Sequence, residues 1–281
     1  LDSLRFFAVF LVIFHHFLPE FNLGHFSFGE SGVQIFFVIS GFLISNILMS
    51  KKQLITNSIA DVKKTLINFY ARRMLRLFPA YYLLLVILIS ISLIFGLWIV
   101  NQKWMFFSYF FYLQNFLFFF KGLQSSLLNH TWSLAVEEQF YLFLPLIILL
   151  FRKGTYLLFI GLFLFIGMFS KFYFAERLSP ENPKFFLLSN LDTLGAGAML
   201  SYLYIHFNSF LFSRWSLISA LLILFFTLFF IANSSYIINQ VSLLLFSASV
   251  LIVFIHPIWI FKSSIFDNQI FRYLGKISYG L

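Results

Sequence analysis

LRFFAVFLVIFHHFLP, residues Leu4–Pro19, is an almost wholly apolar stretch that carries an arginine near one end and two histidines near the other. Its length and composition predict a membrane-spanning helix. Arg5 and His16 lie eleven positions apart, and at about 100° per residue that is three turns plus roughly 20°. The two side chains therefore share one helix face, about 16 Å apart along the axis at 1.5 Å per residue. A guanidinium inside a bilayer is costly unless it meets a partner or water, so an intramembrane ionisable residue marks a functional site by default. The competing reading is that Arg5 snorkels to lipid headgroups and that His16 is a hydrogen-bonded core residue. The paired spacing, and further charge in later apolar runs, favour function.

The rest of the chain fits this start. Of 281 residues, 61% are hydrophobic and 10% charged, with mean hydropathy +0.93. Soluble domains are about a quarter charged, so the chain reads as an all-α polytopic membrane protein. The 45 phenylalanines read as lipid-facing bulk. With no cysteine, thiolate chemistry, disulfides and Cys-metal sites are excluded. The net charge of +9 does not point to nucleic acid, because the basic residues fall between apolar runs, where they orient helices. No metal-ligand spacing, glycine-rich phosphate loop or G-x-S-x-G elbow is present, so no metal is expected.

Apolar runs of spanning length occur at 4–19, 31–50, 79–100, 104–120, 132–151, 154–174, 185–207, 214–232 and 236–261, and a tenth begins near Tyr273. The expectation is one domain over 1–281: a bundle of about ten transmembrane helices, nine complete and a tenth begun, continuing beyond both ends of the chain. Segment 51–78 carries seven Lys and Arg against Asp61, whereas 20–30 carries Glu20, Glu30 and no Lys or Arg. The basic segment is thus expected to be cytoplasmic. Whether 104–120 spans or re-enters decides the side of every later loop. The spanning option is taken, because it sets the polar clusters near one face.

Three further clusters carry chemistry. In YARRMLRLFP (Tyr70–Pro79), Arg72, Arg73 and Arg76 have helical spacing and suit phosphate by charge-assisted forks; anionic lipid anchoring is the plainer alternative. In HTWSLAVEEQFY (His130–Tyr141), capping near Thr131 or Ser133 explains one glutamate. Glu137 and Glu138 point about 100° apart, so one of them is expected to face the protein interior and to pair with Arg5. In NLDTLGAGAMLSY (Asn190–Tyr202), Asp192 beside Gly195 and Gly197 marks a tight helix contact or a polar cavity wall. In GESGVQIFFVISGFLI (Gly29–Ile44), Ser40 and Gly41 read as packing positions.

Taken in order, these blocks resemble the acyltransferase 3 family of integral membrane acyltransferases, from Leu1 to Leu281. LDSLRFFAVFLVIFHHF is similar to the family's Arg, ten residues, His signature, which falls on Arg5 and His16. FYARRMLRLFPAYY resembles its RxxR segment at Arg73 and Arg76. TWSLAVEEQFYLFLP is the most specific match, with Trp132, Ser133 and Glu137 in family positions. LDTLGAGAMLSY and LGKISYGL resemble its aspartate–glycine helix and the start of its late helix.

The resemblance implies a multi-pass protein of the bacterial inner (cytoplasmic) membrane. It implies O-acetyl transfer from cytoplasmic acetyl-CoA to a hydroxyl of a glycan or lipid-linked glycan such as O-antigen, exopolysaccharide or peptidoglycan, in contact with membrane lipids. On this reading His16, Arg5 and Glu137 are catalytic, and Arg72, Arg73 and Arg76 bind the donor. The alternative from another class is a transporter or flippase whose buried charges form a path; the absence of an internal repeat counts against it.

Overall fold

The computed structural model describes residues 1–18, 27–57, 61–95, 103–122, 128–177, 182–233, 236–256 and 269–277, and every regular element among them is helical. The elements are α1 (Asp2–Phe17), α2 (Phe28–Thr56), α3 (Val62–Phe95), α4 (Lys103–Phe110), α5 (Gln114–Lys121), α6 (Thr131–Leu150) and α7 (Lys153–Ala175). A 3-10 turn (Asn182–Phe185) then leads to α8 (Leu187–His206), α9 (Asn208–Leu211), α10 (Arg214–Asn233), α11 (Tyr236–Ile255) and α12 (Gln269–Ile277). Among the described residues, α2, α3, α6, α7 and α11 are long and apolar enough to cross a membrane. The run expected to begin near Tyr273 falls on the nine-residue α12, and residues 278–281 lie outside the described residues.

Helices α2 and α8 share the most extensive seam in the bundle, and glycine lets their backbones touch. A Cβ added at Gly41 would stand 2.1 Å from the Leu194 carbonyl oxygen, and one at Gly197 would stand 2.1 Å from that of Val38. Neither neighbour is a side chain that could swing away. Gly197→Ala is therefore expected to destabilise the fold by about 1–3 kcal/mol through overpacking, read as a lower midpoint of thermal unfolding in detergent.

The structure corrects the expectation at 104–120. This run does not span. It forms two eight-residue helices, each about 12 Å long, joined at a bend where Tyr112 has φ 56°. Bare backbone is not tolerated in hydrocarbon, and here side chains satisfy it. Gln139 Nε2 donates to the Tyr112 carbonyl at 2.8 Å, Tyr81 donates to that of Tyr109 at 2.7 Å, and Tyr82 to that of Phe110 at 3.0 Å. Asn115 and Gln139 exchange two further amide bonds at 3.2 and 2.8 Å. Two buried amides in sequence, Gln114 and Asn115, were the available signal.

The hairpin reverses the direction expected for everything after it. Lys52 Nζ donates to the Leu149 carbonyl, so the ends of α2 and α6 meet at the basic end of the bundle. Tyr70 bonds the Leu142 carbonyl and Arg73 bonds Glu138, so α3 and α6 are antiparallel. The chain leaves α3 and enters α6 at the same far end. Arg152 and Lys153 therefore lie at the basic end, and Arg177 and Lys184 at the far end, the reverse of the spanning option. The chain has no cysteine, which allows a clean test. Gly122→Cys and Glu176→Cys are expected to react with an impermeant maleimide from one membrane face, and Lys63→Cys and Lys153→Cys from the other.

Candidate active site

Three helices bring charge together in the bundle. Glu137 on α6 is buried and accepts a 2.6 Å hydrogen bond from Ser40 Oγ on α2. Glu138, turned about 100° away, accepts from Arg73 Nε on α3 at 3.1 Å, with both side chains largely buried. The Arg73 guanidinium also lies 3.3 Å above the ring of buried Tyr141, one turn from Glu138 on the same face, where a cation–π contact is strengthened by desolvation. From α1, buried Arg5 bonds Asp2 at 3.3 Å and lies within electrostatic reach of Tyr141, Glu137 and Arg76. Three guanidiniums thus face three carboxylates, the arrangement that makes buried charge tolerable.

The convergence of Arg5, Glu137 and Arg73 agrees with the sequence reading, but its depth does not. Expected near the basic end, the glutamates instead sit about 9–11 Å from the far end of α6 by helical rise. Both glutamates turn to partners, one to α2 and the other to α3. Ser40, read as a packing position, is a hydrogen-bond donor to the cluster. Tyr141 was missed, although its spacing of three from Glu138 was visible. Arg73 is committed to Glu138 and Tyr141, while Arg72 and Arg76 are exposed on α3.

His16 stands apart from this cluster, at the far end of α1, exposed, on the face that the spacing indicates. The neighbouring His15 packs on α2, where a Cβ on Gly29 would stand 2.6 Å from its ring, and the two imidazoles are 6.0 Å apart. His130, just before α6, is the imidazole that sequence reasoning passed over. Desolvation, then the nearby His16, shift its pKa downward from the usual histidine value. Trp132 and Ser133 open α6 at this end, with Ser133 Oγ donating to the His130 carbonyl at 3.2 Å.

Asp192 lies outside the arginine cluster. It forms a 2.8 Å ion pair with Lys171 on α7, the two side chains 2% and 7% exposed. Its other oxygen accepts from the Thr193 amide at 2.8 Å, and the Thr193 hydroxyl donates to Gln34 on α2. Gly167 lets α7 approach, since a Cβ there would stand 2.2 Å from the Asp192 amide. Of the two readings of Asp192, the tight helix contact holds.

Buried arginine–carboxylate pairs below an imidazole-lined end define a polar centre inside a membrane bundle. Residues 1–281 match the family described as an acyltransferase domain, and the chain belongs to that family, acyltransferase 3. It is 39% identical over 162 residues to the peptidoglycan O-acetyltransferase OatA of Listeria monocytogenes, covering 54% of this chain and 24% of that protein. The O-acetyltransferase OatA of Staphylococcus aureus strain NCTC 8325 is 37% identical over 155 residues, covering 53% of this chain and 24% of its own length. A protein of S. aureus strain COL, provisionally named an O-acetyltransferase, is 31% identical over 325 residues, all of this chain and 49% of its own. The chain thus spans about half the length, or less, of the curated relatives it matches. No solved structure matches.

Proposed function

We propose that the chain is the membrane part of an O-acetyltransferase in a bacterial cytoplasmic membrane, moving acetyl from acetyl-CoA at the basic end to a hydroxyl of a cell-surface glycan at the far end. The observation that carries this reading is the arginine–glutamate cluster inside the bundle, with exposed guanidiniums on α3 and an exposed imidazole at the far end of α1. The names of the relatives support the acetyl group and, in one case, peptidoglycan as acceptor.

The residues then divide the work. Arg72 and Arg76, exposed on α3, bind the donor's phosphates by charge-assisted hydrogen bonds. Arg73 is held by Glu138 and Tyr141, so it positions the cluster and is not a free phosphate fork. Arg5, set against Glu137 and Asp2, is a fixed positive charge that holds the polar pantetheine arm of the donor inside the bundle. His16 takes the proton of the acceptor hydroxyl as general base, or carries the acetyl group between donor and acceptor. In either route the C–S bond of the thioester breaks, a C–O ester bond forms, and the hydroxyl proton passes through the imidazole to the departing thiolate. Because His16 lies about 16 Å from Arg5 along α1, the donor's arm must extend past Arg5 so that the intact thioester meets the imidazole before the C–S bond breaks.

The test is consumption of labelled acetyl-CoA by purified protein in nanodiscs, with label appearing as ester on muramidase-solubilised peptidoglycan. A transporter would leave the thioester intact. Arg76→Ala is expected to raise the half-saturating acetyl-CoA concentration about tenfold, the worth of one charge-assisted hydrogen bond. Unchanged donor dependence in the Arg72→Ala/Arg76→Ala pair would remove these residues from the donor site.

A further inference from the structure

The far end of the bundle holds a group of side chains that the acyl-transfer chemistry does not use. Trp132 at the start of α6 is half-buried and wedged between Phe37 of α2, at 6.0 Å and 85°, and Phe185 of the 3-10 turn, at 5.3 Å and 89°. Two perpendicular rings fix its orientation. Beside it, Lys184 Nζ lies 5.3 Å over the Phe185 ring and 4.0 Å from Glu30 Oε1, with both charged side chains about one-third exposed. Glu30 is held at the start of α2, where Ser27 Oγ accepts from its amide at 3.2 Å. The residue before it, Gly29, touches His15, and His15 precedes His16. At α6 the same end carries His130, within electrostatic reach of His16.

We infer that this mouth, built from Trp132, Glu30 and Lys184 beside His16, is a subsite for one pyranose ring of the acceptor. The inference rests on the acyl-transfer reading and adds the part of the molecule that would hold the sugar. A pyranose has an apolar face of C–H groups and a rim of hydroxyls or amides. An oriented indole that is only partly buried matches the face. A loose, partly exposed acid–base pair matches the rim, since at 4.0 Å its partners can turn to accept from and donate to hydroxyls. The pair is self-neutralising, which suits an uncharged ring better than an anionic lipid headgroup. Its place beside His16 puts a hydroxyl of the held ring next to the imidazole proposed to deprotonate it.

The probe is chitotetraose, an uncharged oligomer of N-acetylglucosamine, added with labelled acetyl-CoA to the full chain in nanodiscs, where both membrane faces are open. Trp132→Leu is expected to raise the half-saturating chitotetraose concentration at least tenfold and to leave the half-saturating acetyl-CoA concentration unchanged. Trp132→Phe, which keeps an aromatic face and the packing on Phe37 and Phe185, is expected to recover most of that loss. Glu30→Gln is expected to raise the chitotetraose value about threefold. Equal changes in both substrate curves, or an unchanged chitotetraose curve in Trp132→Leu, would overturn the subsite. Acetyl-CoA consumption by the wild type with no acetyl on chitotetraose would overturn it as well. No consumption of acetyl-CoA under any condition would instead sink the acyl-transfer reading beneath it.

Discussion

His16→Ala is expected to lower acetyl transfer by about two to four orders of magnitude, the usual worth of a positioned general base, while folded protein remains in the membrane. His16 is exposed at the end of α1, so its removal leaves no cavity and little packing is lost. Its neighbour makes the natural control. His15 packs against Gly29, so His15→Ala is expected to reduce the yield of folded protein more than the rate per folded molecule. Transfer rates on purified, monodisperse variants decide the matter. Activity retained in His16→Ala and lost in His15→Ala would assign the wrong imidazole.

The second large effect concerns stability. Asp192→Ala would leave the Lys171 ammonium buried at 7% exposure without its 2.8 Å partner, and removing one member of such a pair costs about 3–5 kcal/mol. The change would also free Thr193, which spans between Asp192 and Gln34, so the loosening would spread from α7 and α8 to α2. Replacing both members, Lys171→Met with Asp192→Leu, is expected to recover most of the loss, because apolar residues of similar volume often equal or exceed a buried ion pair. Thermal unfolding in detergent, followed by size-exclusion of the soluble fraction, measures all three variants. Single variants as stable as the wild type would mean that the pair does not clamp these helices.

Much of this molecule could be read from its residues. The shared face of Arg5 and His16 follows from helical periodicity, and the split between Glu137 and Glu138 from the 100° between neighbours. Eight of the nine expected complete spans correspond to single helices among the described residues. The ninth, 104–120, has the length and hydropathy of a span. What breaks it is tertiary: Gln139, Tyr81 and Tyr82 reach across from other helices to satisfy the bend, and no local pattern reports that. The same hairpin sets the direction of α6, so the misjudged depth of the arginine–glutamate cluster follows from it. Lys171 falls inside the apolar run 154–174, where no local pattern gives it a partner. Its carboxylate partner lies 21 residues on, and only the packing of α7 against α8 brings the two together.

The central claim is that Arg5, Arg73, Glu137 and Glu138 meet inside the bundle as a single polar centre that leads the donor's acyl arm toward His16. Electron cryo-microscopy of the full chain in nanodiscs with bound acetyl-CoA tests it most directly. The account predicts Arg73 within hydrogen-bond distance of Glu138, Ser40 on Glu137, and the donor's phosphates on the α3 arginines with its acyl arm directed past Arg5 toward His16. A map with these side chains turned to lipid, or with the donor bound away from α1, α3 and α6, would contradict it.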